Sequence, residues 1–306
     1  MEQSYHRPVM LNESIEALGV RPDGVYVDAT YGGGGHSRAI LSLLGPEGRL
    51  IAFDQDPDAR ANAIDDTRFT LIGENFGHLR NFLRINGVRQ IDGLLADLGV
   101  SSHQFDEPAR GFSTRFDAPL DMRMDSRADT TAADLVANLT EADLTRLLRL
   151  YGELPNAARM AHDICAARRQ EPIATTAQLR QAVSRQLPRG MENKYLAMLF
   201  QALRIEVNGE LDALRALLEQ AAALLVPGGR IAVISYHSLE DRIVKNYFRT
   251  GNFEGEPQKD FYGNLIRPLA PLQAKATMPS PEELAANNRS RSARLRAAQK
   301  NEPQNQ

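Results

Sequence analysis

The sequence predicts an α/β protein in which a parallel, doubly wound sheet is interrupted by an all-helical insertion. Three observations predict it. Short apolar segments alternate with helical ones through the first hundred residues, strand signal vanishes between about Pro108 and Val207, and it returns at Arg230-Ile231-Ala232-Val233-Ile234-Ser235. Strands that alternate with helices of roughly 10 residues build parallel sheets.

Taken in order, Gly24 to Ala29 reads as a buried strand, followed by a glycine run and a helix from His36 to Leu44. Arg49 to Asp54 is a second strand, and Pro57 stands where the next helix should begin, since proline suits a first helical position. Phe69 to Ile72 is a third strand, Phe76 to Ile85 a helix and Ile91 to Leu98 a fourth strand. Thr140-Glu141-Ala142-Asp143 then reads as a cap leading into the apolar face Leu144, Leu147, Leu148 and Tyr151. Further helices are expected over Asn156–Arg169, Thr176–Leu187, Lys194–Glu206 and Leu211–Leu225, the last ended by Pro227-Gly228-Gly229. A simple crossover unit needs about 30 residues, and the fourth and fifth strands lie well over a hundred apart. The economical division is a discontinuous sheet domain, 1–108 with 207–306, and an inserted helical domain, 109–206. Residues 252–287 are rich in proline, glycine and polar residues, so an irregular segment is expected there, and 303–306 read as a disordered end.

Composition narrows the class. At 306 residues, 42% hydrophobic and 25% charged, the chain is an ordinary globular protein. No apolar run approaches the roughly 20 residues of a membrane span, and the polar start lacks the apolar core of a secretory signal, so cytoplasm is the expected location. The single cysteine, Cys165, excludes disulfide frameworks and multi-cysteine metal sites, and no metal is expected. A net charge of −3 argues against a uniformly basic nucleic-acid binder. Arg289, Arg291, Arg294, Arg296 and Lys300 nevertheless form a basic stretch with no acid between them. Oligomeric state is not set by the sequence, which allows a homodimer.

The chemistry sits at strand ends. Asp28-Ala29-Thr30-Tyr31-Gly32-Gly33-Gly34-Gly35-His36 follows the first strand, and a glycine run there lets backbone N–H groups approach a ligand closely. The absence of Gly-Lys-Ser/Thr argues against a triphosphate loop. Asp28 would repel a pyrophosphate and tolerate a cationic ligand, which disfavours a nicotinamide dehydrogenase. Asp54 ends the second strand roughly 20 residues after the glycines, where an acid accepts hydrogen bonds from ribose hydroxyls; a cap before Pro57 is the alternative. Asp97 ends the fourth strand, ahead of Leu98-Gly99-Val100-Ser101-Ser102. Three carboxylates at one sheet edge are hard to attribute to packing, because an unpaired buried carboxylate is costly. A binding module without catalysis remains a competing class.

The loop Asp28-x-Thr30-x-Gly32-x-Gly34 resembles the acid-led cofactor loop of class I methyltransferases. Longer strings are similar to one family, the ribosomal RNA small-subunit methyltransferase H (MraW-type) enzymes. They include His6-Arg7-Pro8-Val9-Met10-Leu11-Asn12-Glu13, the glycine loop, Ala52-Phe53-Asp54-Gln55-Asp56-Pro57, Glu74-Asn75-Phe76, and Leu95 to Ser102. They continue with Arg110-Gly111-Phe112-Ser113, Pro119-Leu120-Asp121-Met122-Arg123-Met124-Asp125, Phe200 to Ile205, Ser235 to Arg242 and Asn288 to Arg296. The chain departs from the family pattern at Glu192 to Ala197, where a His-Pro-Ala stretch is usual. The resemblance implies a class I Rossmann-like methyltransferase domain with an inserted all-helical domain. It implies S-adenosyl-L-methionine as cofactor and N4-methylation of a decoding-centre cytosine in bacterial 16S rRNA of the small ribosomal subunit. A different RNA, a protein or a small molecule is the alternative substrate. By motif position, Gly34, Gly35, His36, Asp54, Phe76, Asp97 and Gln104 would bind the cofactor, and part of the basic tail would form a late strand whose arginines contact phosphates.

Methylating an exocyclic amine needs no covalent catalyst, so Cys165 reads as a packing residue. Acceptors on the amine hydrogens would help, and the expected contributors are Asp97, carbonyls near Leu98, the hydroxyl of Ser101 or Ser102, and His237 after the fifth strand. Turn-forming serines and a structural histidine are the competing readings. The helical insert is expected to face the cofactor edge and clamp RNA. Arg110, Arg115, Arg123 and Arg127 are candidate phosphate contacts, unless Arg123 simply pairs with Asp121.

Overall fold

A computed structural model describes residues 8–302, so His6 and Arg7 of the first matched string, and the expected disordered end, lie outside the described residues. The chain divides into two compact units, Met1–Gly99 with Leu211–Gln306, and Val100–Glu210.

The first unit opens with α1 (Leu11–Leu18), β1 (Val25–Asp28), α2 (Gly35–Leu43), β2 (Arg49–Phe53), β3 (Phe69–Ile72), α3 (Leu79–Ile85) and β4 (Ile91–Asp97). The second unit holds α4 (Ser102–Asp106), α5 (Ala132–Asn138), α6 (Glu141–Leu150), α7 (Ala157–Arg168), α8 (Thr176–Ala182) and α9 (Glu192–Asn208). The chain then returns through α10 (Glu210–Leu224), β5 (Leu225–Ser235), α11 (Ser238–Thr250), β6 (Leu269–Pro271), α12 (Pro281–Ala286) and β7 (Arg294–Lys300).

The seven strands form one sheet in the order β3-β2-β1-β4-β5-β7-β6. Neighbours from β3 to β5 are parallel, and β7 runs antiparallel to β5 and β6. This is the class I Rossmann-like arrangement the sequence predicts, and β7 is the late strand expected in the tail. The near-continuous burial of β2 and β4 is what a parallel sheet covered on both faces requires. One apolar layer joins Met10 and Leu18 at the ends of α1, Tyr26 of β1, Ile40 and Leu41 of α2, Leu95 of β4 and Ile234 of β5.

Several elements differ from expectation for local reasons. The helix expected at Pro57 is a 3₁₀ segment, Pro57–Asn62, which buries only Ala59 and so has no apolar face to extend it. Asn75 accepts from Gly77 N at 2.7 Å and tightens Phe76–His78 into another 3₁₀ turn before α3 begins. Pro227-Gly228-Gly229 does not end a helix: α10 stops at Leu224, and the three residues form an irregularity within β5, where the pairing with β4 slips between Ile91 and Gly93. Helices α1, α4, α5, α11 and α12 and strand β6 were not expected.

Among its described residues, the second unit is helical apart from loops and one isolated bridge, Pro119 to Thr175. Its core gathers Leu144, Leu147 and Leu148 of α6, Met160 and Ile164 of α7, and Leu196, Leu199 and Leu203 of α9. The predicted cap is present: Thr140 Oγ1 accepts from Asp143 N at 3.1 Å and donates to Asp143 Oδ2 at 2.7 Å. Cys165 is 2% exposed inside this core. Asn208 pins the preceding loop, accepting from Met124 N and donating to Met122 O, at 2.7 and 2.8 Å.

Candidate functional site

In the sheet, β1 lies beside β4, while the connections lead away from that junction on both sides. Such a reversal of strand order opens a crevice at the carboxyl edge, where open α/β folds bind ligands. The segments leaving β1 and β4 meet there: Asp97 N donates to Thr30 Oγ1 at 2.6 Å, and Ala29 N donates to Leu95 O at 2.8 Å.

Asp28 corrects an expectation. Its carboxylate does not face a ligand; the residue is fully buried, Ser37 Oγ donates to one oxygen at 2.6 Å and Thr30 N to the other at 3.1 Å. Burial raises its pKa, with those donors and the His36 charge opposing. Asp28 therefore ties the loop to the first turn of α2.

The glycines have separate tasks. Gly34 adopts φ of 74°, in the left-handed region, and a Cβ there would stand 2.6 Å from Tyr31 Oη. A Cβ at Gly35 would stand 2.1 Å from Pro8 Cγ. Gly32 and Gly33 instead face open space, with nothing within 4 Å of a built Cβ, so the loop backbone is approachable there. Asp54 follows β2 and holds the loop from the other side, accepting from Gly32 N at 2.7 Å and from Asp56 N at 2.9 Å. The cap before Pro57 is Asp56, which accepts from Asp58 N. Burial pushes the Asp54 carboxyl up to about 6, with those two N–H donors opposing. Next to it, Asn75 Nδ2 donates to Gln55 Oε1 at 2.8 Å, linking the segments after β2 and β3 just ahead of half-buried Phe76.

Asp97 is held by a tyrosine and faces a histidine. Its side chain is 21% exposed, Oδ1 accepts from Tyr236 Oη at 2.6 Å, and Oδ2 lies 3.9 Å from His36 Nδ1. Burial pushes it up to about 6, against the opposing pull of His36 and the Tyr236 hydroxyl. His36 is buried, with Nε2 3.1 Å from Val9 O. A carbonyl oxygen only accepts, so Nε2 carries a proton in this arrangement. Tyr236 was missed in the sequence because an aromatic one step beyond a strand usually reads as packing. The available signal was its place directly after β5, the neighbour of β4.

The remaining predicted residues are engaged locally. His237 caps α11: Glu240 N donates weakly to His237 Nδ1 at 3.5 Å, while Glu240 Oε2 accepts from Tyr236 N at 2.9 Å. The His237 Nε2 atom is buried 3.2 Å from Glu240 Oε1 and makes no hydrogen bond among the described residues. Ser101 and Gln104 belong to the second unit and form a reciprocal capping box on α4, with distances of 3.2 and 3.1 Å. In the first unit, Thr30, His36 and Tyr236 thus gather around Asp97, while Gly32 and Asp54 form a separate pair.

Most predicted phosphate contacts already have partners. Arg123 makes a two-pronged pair with Asp121 at 2.8 and 2.7 Å, and Arg127 does so with Asp125. Arg110 donates to the carbonyls of Arg123 and Met124, and Arg115 lies 3.7 Å from Asp106. In the tail, Arg296 Nε and Arg294 Nη1 reach Asp241 at 2.7 and 3.0 Å, and Lys300 donates to Ala222 O. Among the described residues, no helix is long and apolar enough to cross a membrane.

A loop with open space on the Cβ side of Gly32 and Gly33, near two partly exposed carboxylates, suits a ligand with a nucleoside part and a cationic part. Comparison with known proteins agrees in kind. Ribosomal RNA small subunit methyltransferase H of Flavobacterium johnsoniae is 54% identical over 296 residues, 97% of this chain and 98% of that protein. The proteins of the same name from Flavobacterium psychrophilum and Bacteroides fragilis are 55% and 51% identical over 291 and 299 residues, covering 95% and 98% of this chain and 100% and 98% of theirs. Residues 3–301 match the family model described as the MraW methylase family, and the chain belongs to that family.

Proposed function

We propose that the chain transfers a methyl group from S-adenosyl-L-methionine to N4 of a decoding-centre cytosine in 16S rRNA of the small ribosomal subunit. The observation that carries this reading is similarity along nearly the whole chain to proteins named for small-subunit rRNA methylation. The residues of the β1/β4 crevice suit the cofactor: Asp54 accepts from the ribose hydroxyls, Gly34, Gly35 and His36 shape the loop, Phe76 packs at the adenine side, and Asp97 serves the cationic end.

When bound, the cofactor supplies an electrophilic methyl on a sulfonium. The protein's task is to place the amine in line, and orientation of this kind can remove about 7–11 kcal/mol from a barrier. The amine lone pair is delocalised into the cytosine ring, so acceptors on its hydrogens restore its nucleophilicity. Asp97 is the strongest candidate for that role. Ser101 and His237 are secondary, since each is engaged in a helix cap. The target base must leave its stack, at a cost of a few kcal/mol, and the helical unit is assigned to substrate recognition. Exposed Arg291 replaces the internally paired arginines as the tail's phosphate contact.

The test is transfer of labelled methyl groups to purified small ribosomal subunits from cells lacking the enzyme. Label in one 16S rRNA cytosine at N4 is the expected result. Label only in other RNA, in protein or in small molecules, or no transfer, would overturn the assignment.

A further inference from the structure

We infer that Tyr236 is a positioning residue for the reaction: its hydroxyl holds the Asp97 carboxylate ionised and fixed at the end of β4. The inference rests on the reading of Asp97 as a cofactor-site carboxylate.

The geometry is built by the sheet. Asp97 pairs in register with Ile234 of β5, and Leu98 N donates to Ile234 O at 2.9 Å. Two residues further along, Tyr236 turns back across the strand ends and donates to Asp97 Oδ1 at 2.6 Å, within the range of a charge-assisted O–H···O⁻ bond. Its own backbone is fixed, because Tyr236 N donates to Glu240 Oε2 at 2.9 Å within the α11 cap. The ring lies beside the segment after Asp97: Gly99 has φ of 97°, and a Cβ added there would come to ordinary contact distance, 3.5 Å, from Tyr236 Cδ2.

A carboxylate in this place has reason to lose its charge. The groups facing it are His36 from α2, Tyr236 beyond β5, Asp28 from β1 and Glu240 from α11. Two of these are acids, and burial further favours the neutral form. His36 and Tyr236 oppose that tendency, the first by charge and the second by donation. Burial and the neighbouring carboxylate raise the Tyr236 pKa strongly, so the hydroxyl remains a donor at any ordinary pH. A neutral Asp97 would present a donor where the account needs an acceptor and a negative charge. His36 touches Oδ2 only at 3.9 Å, which leaves Tyr236 as the close partner.

The test measures S-adenosylmethionine affinity of the full chain by calorimetry from pH 5.5 to 8.5, for wild type, Tyr236→Phe and Asp97→Asn. The wild-type affinity should fall on the acid side, with the break near the free-protein Asp97 value of about 6. In Tyr236→Phe the break should move up by about one pH unit, giving binding roughly eightfold weaker at pH 5.5, about twofold weaker at pH 7 and nearly equal at pH 8.5. A tyrosine fluorinated on the ring at position 236, a stronger donor of the same shape, should move the break the other way. That second variant retains the fold if Tyr236→Phe does not. Coincident acid limbs in wild type and both position-236 proteins would overturn the role of Tyr236 while leaving Asp97 in place. An Asp97→Asn protein that binds as wild type, with the same limb, would overturn the reading of Asp97 and the Tyr236 role with it.

Discussion

Replacing Asp97 by Asn should make the free protein more stable while weakening its cofactor site. The ordinary carboxyl value of 3.8 rises to about 6 in the fold. That difference of about two units, at roughly 1.4 kcal/mol each, means the ionised side chain costs the folded state about 3 kcal/mol at neutral pH. Asn is uncharged and keeps an oxygen to accept from Tyr236 Oη, but it loses the attraction to His36, so a net gain of about 1–3 kcal/mol is expected. At about 2–4 °C per kcal/mol for a unit of this size, the melting temperature should rise by about 2–12 °C at pH 7.5. The sign with pH follows from linkage. A raised folded pKa means the folded state holds its proton where the unfolded chain has released it, so this group's contribution is fully present below 3.8 and lost as pH rises through about 6. The advantage of Asn over Asp should therefore shrink as pH falls from about 6 towards 3.8. Thermal unfolding followed by circular dichroism from pH 4.5 to 8 tests this. A variant that is no more stable than wild type at pH 7.5, or whose gain is the same at every pH, would refute the argument that burial destabilises this carboxylate.

Three further outcomes follow from the same reasoning. Gly34→Ala, at φ 74° and 2.6 Å from Tyr31 Oη, should strain the loop by about 1–3 kcal/mol and weaken S-adenosylmethionine binding about tenfold in calorimetry. Asp241→Ala should cost about 3 kcal/mol in urea unfolding, because it strands Arg296, whose side chain is only 14% exposed. The double variant with Arg296→Ala should recover part of that loss, and simple additivity would show that the pair carries no coupling. Cys165→Ala should leave methyl transfer to small subunits within about threefold of wild type, since a buried core thiol is no nucleophile. Abolished transfer with an unchanged melting curve would restore a covalent route.

Patterns with a short physical range were legible. Apolar runs bounded by turn residues located the five parallel strands, and the missing strand signal over a hundred residues revealed the helical insertion. The strand-end acids Asp54 and Asp97 could be placed by position alone, because the ends of parallel strands share one edge. What those acids do was less legible. The charge of Asp28 suggested a ligand contact, but Ser37 and Thr30 consume both its oxygens. Arg294 and Arg296 looked free in a run without acids; their partner, Asp241, is more than fifty residues away in sequence. Tyr236 meets Asp97 only because β4 and β5 are neighbours in the sheet while the whole helical unit separates them along the chain. Short elements such as β6 and α12 are held by tertiary contacts, among them the bond from Met10 N to Glu283 Oε1 at 2.8 Å, and their local sequence carries little periodicity.

The assignment of a 16S rRNA cytosine as substrate is tested most directly by mass spectrometry of 16S rRNA nucleosides from a strain lacking this chain. N4-methylcytosine should be lost in the deletion, return with the wild-type chain, and fail to return with Asp97→Asn. An unchanged N4-methylcytosine content in the deletion strain would contradict the assignment.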